Sequence, residues 1–272
     1  MRLLAFLLLL IPALASAQTE DRRPSHCIAL VENTPDLAVL TPANFRAPLE
    51  DNTVRLTYVD HSMVLIQTAG GLSAVTDFAG WIGNVEFTPD VVTMNNAHST
   101  HWTPFPDPAI PHVLEGWRQE GAPADHHLDL GEMLVRNVTT DIRSRGMDGI
   151  DGNSIFVFEV AGLCIGHLGH LHHEPTPEQY AAIGRLDIVL AAVDGGLTVD
   201  LPTMIRILQR FRSSVVIPIH WFGRSTLELF LDGMSKDFAI ERPGTAGMEI
   251  SLRTLPNRPT VVVLEPRFLG LD

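Results

Sequence analysis

Residues 89–101 read PDVVTMNNAHSTH, in which a short apolar run, Asp90 to Met94, passes into a polar loop carrying His98 and His101. An apolar run of about four to eight residues before a polar loop is typical of a buried β-strand. Open α/β architectures place their ligand sites at the carboxyl ends of strands, and neutral imidazole is the commonest metal ligand. The stretch therefore predicts a buried strand that delivers two histidines to a site.

The same arrangement recurs at three other predicted strands. His61 follows a strand over residues 54–59, and His220 closes a strand over residues 215–219. The strand over residues 163–165 is followed by His167, His170, His172 and His173. A single histidine after a strand is usually an ordinary turn residue. Because a zinc site needs three or four converging donors, histidines at four strand ends predict one metal centre.

The composition indicates a globular protein and excludes two classes of function. Apolar residues make up 45% of the 272 residues, and 32 acidic residues against 19 basic ones give a net charge of -13. A chain this acidic, without a Lys/Arg cluster, lacks the basic surface that nucleic-acid binding requires. It also lacks a polybasic patch for an anionic membrane. We therefore expect a small-molecule substrate as the partner, and the oligomeric state stays open.

The N-terminal segment has the features of an export signal. Residues 1–17 contain one Arg, an apolar run and an Ala-Ser-Ala sequence, which is the pattern of a cleaved signal peptide. The apolar run is too short to span a bilayer, which needs about 20 residues. The sequence thus predicts a periplasmic or secreted protein with no stable membrane insertion after cleavage. Cys27 and Cys164 then lie in an oxidising compartment, where they either form a disulfide or remain buried thiols.

The predicted elements indicate one mixed α/β domain. Strands come in runs first and alternate with helices later, from the helix that begins at Thr176-Pro177. Sheet packed on sheet with helices outside is the arrangement that this order favours. We expect a signal peptide over residues 1–17, an irregular N-terminal lead-in over 18–52, and a single domain over 53–272.

Five segments, in chain order, resemble the metallo-β-lactamase superfamily. Residues 89–101 are similar to its strand followed by T-H-x-H-x-D-H, and VVIPIH, residues 215–220, is similar to its last ligand strand. The other three are TYVDHSMVLI at 57–66, VTDF at 75–78 and HLGH at 167–170. The Asp194-Gly-Gly segment and the spacing are most similar to the lactonase and phosphodiesterase-like branch. The resemblance implies an αββα sandwich of the metallo-β-lactamase type, with two mixed sheets and helices on the outer faces.

The resemblance also implies metal ligands, residue by residue. His98, His101 and His220 match ligand positions of the family, and His170 stands where the family has an aspartate. Asn96 replaces the first motif histidine and offers an amide oxygen. The family's third histidine has no evident counterpart in this chain. The implied ligands are therefore His98, His101, His170 and His220, with Asn96 beside them.

These departures bear on the expected chemistry. Thr100 replaces the motif aspartate, and His170 cannot act as an anionic bridge, so a single metal is expected. Nitrogen ligands suit Zn²⁺ and leave other divalent transition metals open. A zinc-bound water reaches a pKa near 7 without a carboxylate, so a metal-bound hydroxide remains the expected nucleophile. His61 or His173 is the expected proton donor, and the resemblance assigns Asp77 to orienting a ligand histidine.

The predicted function is an exported metal-dependent hydrolase of a lactone, ester or phosphodiester. Two alternatives stay open. One is a non-catalytic relative that keeps the fold and has lost the full ligand set. The other is a periplasmic metal-binding protein that uses the histidines of residues 167–173.

Overall fold

We describe the fold from a computed structural model, which covers residues 22–28, 41–42, 44–143 and 149–270. The predicted signal peptide, residues 1–17, lies outside the described residues, and the lead-in is described in part. No helix in the described part of the chain is long and apolar enough to cross a membrane.

The described residues form fifteen strands and three α-helices. The strands are β1 (Thr41–Pro42), β2 (Val54–Asp60), β3 (Met63–Thr68), β4 (Ser73–Val75), β5 (Val91–Met94), β6 (His112–Glu115), β7 (His127–Asp129), β8 (Met133–Thr140), β9 (Asn153–Val160), β10 (Leu163–His167), β11 (Ile188–Ala192), β12 (Val215–Ile219), β13 (Ala239–Glu241), β14 (Gly247–Ile250) and β15 (Thr260–Val262). The helices are α1 (Pro177–Ile183), α2 (Leu201–Phe211) and α3 (Arg224–Met234).

The strands form two mixed sheets. The first has seven strands in the order β1-β14-β2-β3-β4-β5-β6, and the second has eight in the order β13-β15-β12-β11-β10-β9-β8-β7. Strands β4, β5 and β6 pair in parallel, as do β10, β11 and β12, whereas β2 and β3 form an antiparallel hairpin. The carboxyl ends of β5 and β12 carry the histidine loops of the two sheets.

The main core lies between the two sheets. Alternate residues of each strand point into it, as the period of two along a β-strand requires. Leu56 and Ile66 of the first sheet and Phe156, Ile165 and Ile217 of the second are fully buried there. Two sheets that bury one face each against the other form the sandwich that the sequence predicted, and the fold class is confirmed.

The two outer faces are covered differently. All three helices pack on the second sheet, where Met204, Ile207 and Leu208 of α2 form one buried stripe. The outer face of the first sheet is covered by loop side chains, among them Phe78 and Ile110. Within the described residues, the helices therefore lie on one outer face of the sandwich.

Helix starts follow the local signals in the sequence. Thr176 caps α1 with a reciprocal pair of hydrogen bonds to Gln179, and Pro177 occupies the first helical position. Asp200 caps α2 by accepting a hydrogen bond from the Thr203 amide at 2.9 Å. These caps satisfy amides that have no partner within the helix.

The described part of the lead-in is attached to the second sheet. Cys27 forms a disulfide with Cys164 of β10, with 5.9 Å between their Cα atoms, so the bonded alternative is the correct one. Beside it, the Ser25 hydroxyl and the His26 amide donate to the Glu159 carboxylate of β9. The lead-in also contributes β1, which pairs with β14, so it is less irregular than expected.

Candidate metal centre

Two buried histidines, one from each sheet, meet at one end of the sandwich. His101 lies in the loop after β5 and His220 directly follows β12, and their side chains are 1% and 2% exposed. Their Nε2 atoms are 3.2 Å apart. The structure thus brings together two of the histidines that the sequence predicted at strand ends.

His101 is held by Asp77. The Nδ1 atom of His101 is hydrogen bonded to Oδ2 of Asp77, and Oδ1 of the same carboxylate accepts from the Asn95 amide at 3.1 Å. Burial raises the pKa of Asp77, but the His101 ring and these hydrogen bonds outweigh it, so the pKa lies below its ordinary value. Asp77 thus occupies the position that the resemblance implied for orienting a ligand histidine.

His220 has a carboxylate of its own, which sequence reasoning did not assign. Oδ2 of Asp194 lies 2.9 Å from Nδ1 of His220, although the angle there is not that of a hydrogen bond. Burial raises the pKa of Asp194, but His220 and the donors of the following turn hold it well below its ordinary value. Those donors are the amides of Gly196, Leu197 and Thr198 and the Thr198 hydroxyl. The only sequence signal was an Asp-Gly-Gly turn after a buried strand.

These contacts determine which nitrogen of each ring carries the proton. A carboxylate next to Nδ1 favours the proton on Nδ1, which leaves Nε2 as a bare lone pair. Two lone pairs 3.2 Å apart repel each other unless a cation lies between them or one ring is protonated. The pair formed by His101 and His220, each beside a carboxylate, has the chemistry of a divalent metal site.

His61 supplies a third nitrogen. Its ring lies 4.1 Å from that of His220 and 5.2 Å from that of His101, measured between centroids. One ring nitrogen from each of the three histidines lies within 4.8 Å of the others. The Nε2 atom of His61 is buried and has no hydrogen-bond partner. Burial, then the neighbouring His220 and His101, lowers the pKa of His61 to about 4, so its lone pair is free at neutral pH.

The backbone holds these histidines across the two sheets. The His220 amide donates to the His61 carbonyl at 2.7 Å, and the Tyr58 hydroxyl donates to the same carbonyl at 2.7 Å. His61, Asp77 and His220 all have positive φ, at 46°, 51° and 57°. Left-handed backbone is costly for non-glycine residues and is concentrated at functional sites. Three such residues at one site indicate that its geometry is imposed by the surrounding structure.

The other predicted ligands take different positions. His98 is exposed, and its Nδ1 lies 3.0 Å from the Thr100 hydroxyl. Its ring is 5.7 Å from that of His101, so it lies at the edge of the site. The Asn96 amide nitrogen donates to the Gly152 carbonyl at 2.7 Å, which is a structural bond. The structure therefore groups His61, rather than His98 or Asn96, with the central pair.

The histidines at the end of β10 and in the loop after it do not form one cluster. His167 is fully buried, with Nε2 2.9 Å from the Ser62 carbonyl and Nδ1 accepting from the Gly169 amide, so both nitrogens are used. The His170 ring lies 4.7 Å from that of His101, and its Nδ1 is 2.6 Å from Nε2 of His172. His173 is exposed. Of the two adjacent histidines, the structure thus brings His172 towards the site. The predicted proton donor was His61 or His173, and the structure instead groups His61 with the central pair.

One exposed aromatic ring lies beside the histidines. Phe222 is 65% exposed, and its ring lies 5.4 Å from that of His61 and 5.3 Å from that of His220. An exposed apolar ring beside buried polar groups is a common feature of small-molecule sites.

Comparisons with known proteins identify the family of the chain. A family model described as a beta-lactamase superfamily domain matches residues 55–220, more than half of the chain. No curated protein matches the chain by sequence. Among solved structures, a Thermotoga maritima protein assigned to the Zn-dependent hydrolases of the metallo-β-lactamase superfamily is 25% identical. The alignment covers 79% of this chain and all of that one, with a TM-score of 0.56.

A second solved structure, a Parabacteroides distasonis protein assigned as a metal-dependent hydrolase, is 13% identical with a TM-score of 0.54. That alignment covers 79% of this chain and 94% of the other. At this identity the likeness shows the fold alone. The family match, the sandwich and the carboxylate-bound histidine pair lead to one conclusion: the chain belongs to the metallo-β-lactamase superfamily.

Proposed function

We propose that this chain is an exported hydrolase of a lactone, an ester or a phosphodiester, with one divalent metal, Zn²⁺, held by His61, His101 and His220. The observation that carries the proposal is the 3.2 Å approach of two Nε2 atoms whose Nδ1 atoms each lie beside a buried carboxylate. When bound, the metal would polarise a carbonyl or phosphoryl oxygen and generate a nucleophile from water at neutral pH.

The residues of the chain have distinct parts in this proposal. Asp77 and Asp194 orient the two central rings and partly neutralise the charge that the metal brings. Because a third nitrogen ligand leaves a fourth position open, the set suits a catalytic site better than a closed structural one. Phe222 provides an apolar contact for the part of the substrate that does not react.

Export is supported by two independent features. Residues 1–17 have the pattern of a signal peptide, and Cys27 forms a disulfide with Cys164. Disulfides persist in oxidising compartments and are rare in the cytosol. We therefore place the protein in the periplasm or outside the cell.

Metal analysis combined with a substrate panel tests the proposed function. The purified protein should contain about one equivalent of Zn²⁺, as expected for a site with three protein ligands. Turnover of a lactone, ester or phosphodiester should disappear on chelation and return with added Zn²⁺. His101→Ala should lose both metal and turnover. His112→Ala is the matched control, because His112 pairs with Val91 at the opposite end of β5. Full turnover after complete metal removal would overturn the proposal.

A non-catalytic metal-binding relative is the second candidate. It is favoured by the Asn96 amide, which makes a structural bond to Gly152 at a position where the family has a metal ligand. A protein that binds one Zn²⁺ tightly and turns over no member of the panel would support this candidate.

A further inference from the structure

The backbone amide of Arg143 determines the protonation pattern of two histidines next to the metal site. It donates a hydrogen bond to Nδ1 of His172 at 2.7 Å. A backbone N–H is always a donor, so Nδ1 of His172 must be the acceptor and carry no proton. The proton of the neutral His172 ring is therefore on Nε2.

The same reasoning extends to His170. Nε2 of His172 lies 2.6 Å from Nδ1 of His170. Since the proton in this bond comes from His172, Nδ1 of His170 is the acceptor. A proton on both atoms would place two hydrogens between them. The neutral His170 ring thus carries its proton on Nε2, its other nitrogen.

Both ends of this series of hydrogen bonds, Arg143 and His170, are held in place. The Arg143 guanidinium donates to three carbonyls at 2.8–2.9 Å, those of Gly196, Leu197 and Thr198. These residues belong to the turn that holds Asp194. The His170 amide donates to Oδ1 of the buried Asn153 at 2.8 Å. The orientation of His170 is therefore coupled to that of the carboxylate beside His220.

In His170 the proton is on the opposite ring nitrogen from the proton in the two central histidines. His101 and His220 each have a carboxylate at Nδ1, so their Nε2 atoms are lone pairs that suit a metal. His170 has an N–H donor at Nδ1, so its Nε2 carries a proton and has no lone pair for a metal. Among the described residues, His170 also stays outside the set of three histidines whose nitrogens lie within 4.8 Å of one another.

We propose that His170 is not a metal ligand and that its Nε2–H donates a hydrogen bond to an oxygen of the substrate bound beside His101. This rests on the proposed hydrolase function. The His170 ring is partly buried and its centroid lies 4.7 Å from that of His101, next to the place where the proposed function puts the substrate. The donor suits a carbonyl or phosphoryl oxygen, on which negative charge grows during hydrolysis. His172 and the Arg143 amide are positioning groups that keep the proton on Nε2.

The tautomer can be measured directly in the metal-free parent protein. Long-range ¹H–¹⁵N correlation spectra of protein labelled with ¹⁵N-histidine distinguish a protonated Nε2 from a protonated Nδ1. The His170 signals are assigned by their loss in His170→Gln. We expect a protonated Nε2 and a bare Nδ1 at His170. A proton on Nδ1 of His170 overturns the proposal, whatever the enzyme proves to hydrolyse.

Zn²⁺ titration of the variants separates a donor from a ligand. His170→Gln should still bind one Zn²⁺, with a dissociation constant within about tenfold of the parent, as for a group outside the ligand set. His101→Gln should lose the site. Loss of the Zn²⁺ equivalent in a His170→Gln protein that retains the parent circular dichroism spectrum overturns the proposal. His112→Gln, at the opposite end of β5, is the matched control and should match the parent.

Turnover gives the third readout. With a substrate from the panel, His170→Leu, whose side chain cannot donate a hydrogen bond, should lower kcat by about 10²–10³-fold, as loss of one donor to a developing oxyanion does, with little change in KM. His172→Ala should lower kcat in part and shift the His170 proton in the spectrum. An unchanged kcat in His170→Leu overturns the donor role. If the parent hydrolyses no substrate, the proposed function fails. The spectrum of His170 and the Zn²⁺ titration still test whether His170 is a metal ligand, because neither depends on turnover.

Discussion

The Asp194 carboxylate lies 2.9 Å from Nδ1 of His220. The Asp77 carboxylate contacts Nδ1 of His101 in the same way, at a shorter distance. Each of the two central rings therefore has a buried anion on the side away from its neighbour. The arrangement links both sheets, because His101 follows a strand of the first sheet and His220 a strand of the second.

Asp194→Asn should weaken metal binding without removing it. The amide keeps one oxygen for the turn amides but loses the negative charge beside His220. Loss of such an outer partner typically costs about 10–100-fold in metal affinity. Zn²⁺ competition titration measures the change, and Asp77→Asn should have an effect of similar size. Asp232→Asn, an exposed position on α3, is the control. Equal affinity in Asp194→Asn and the parent contradicts the role of Asp194.

Tyr58→Phe should lower stability, whereas Tyr180→Phe should not. The Tyr58 hydroxyl donates to the His61 carbonyl and accepts from the His220 amide, so its loss removes a buried bridge between the sheets. We expect a loss of about 1–3 kcal/mol in the free energy of unfolding from urea titrations. The Tyr180 hydroxyl is buried without a hydrogen-bond partner, so its removal should be neutral or stabilising. A larger loss at Tyr180 than at Tyr58 contradicts this account.

Removal of the disulfide should lower stability without changing the metal centre. Cys27 and Cys164 are 137 residues apart in sequence, and loss of a native disulfide typically costs about 2–5 kcal/mol. The double variant Cys27→Ser/Cys164→Ser should show this loss in urea unfolding and bind Zn²⁺ as the parent does. Reductant should destabilise the parent by a similar amount and leave the double variant unchanged. Sensitivity of the double variant to reductant would contradict the assignment.

The Glu159 carboxylate should make the free energy of unfolding depend on pH in the acid range. Burial raises its pKa, but hydrogen bonds from Arg136 and Ser25 outweigh this, so the pKa lies below the ordinary value of 4.5. Its contribution is therefore complete above pH 4.5 and is lost as the pH falls through the lower, folded-state pKa. Glu159→Gln should cost about 3–5 kcal/mol at pH 7, because it leaves the buried Arg136 guanidinium without its anion.

Urea titrations of Glu159→Gln and the parent at several pH values measure this effect. The gap between the two proteins should narrow below pH 4.5, the ordinary value. Glu228→Gln, on an exposed pair with Arg242, is the control. A gap that stays constant as the pH falls well below 4.5 contradicts the role of Glu159.

Phe222→Ala should weaken substrate binding more than it slows turnover. The ring is 65% exposed beside His61, and a substrate that covers it gains apolar burial. A rise of about tenfold in KM with little change in kcat corresponds to about 1.4 kcal/mol, close to the lower end of the range of about 1.5–3 kcal/mol for full burial of a Phe side chain. Leu229→Ala is the control, since Leu229 is equally exposed on α3. A fall in kcat at unchanged KM would contradict a binding role.

Long strands and capped helices were predictable from local pattern. The runs at β2, β3, β9 and β12 are apolar, and α1 begins with a cap and a proline. The short strands β6, β7 and β13 were not predicted. Each has three or four residues, and each lies at an edge of its sheet or next to one. Pairing with a neighbouring strand, rather than periodicity, makes such segments into strands.

The site was also predictable only in part, because local pattern identifies some of its residues and contacts across the fold identify the others. His101 and His220 follow buried strands, which is a local signal, and Asp77 was implied by the resemblance. Asp194 and His172 also follow buried strands, but that signal did not give their roles, because the roles depend on which atom lies within about 3 Å across the fold. His98 and His101 show the same local pattern, yet one is exposed and the other is buried against Asp77.

The sequence alone indicated the longer strands and the helices, the resemblance to the superfamily and the presence of histidines at strand ends. These follow from residue type and spacing along the chain. Only the tertiary structure decided which nitrogen of each histidine carries a proton, because that depends on the partner at the other nitrogen. A carboxylate at Nδ1 makes His101 and His220 suited to a metal, and an N–H at Nδ1 makes His170 a donor.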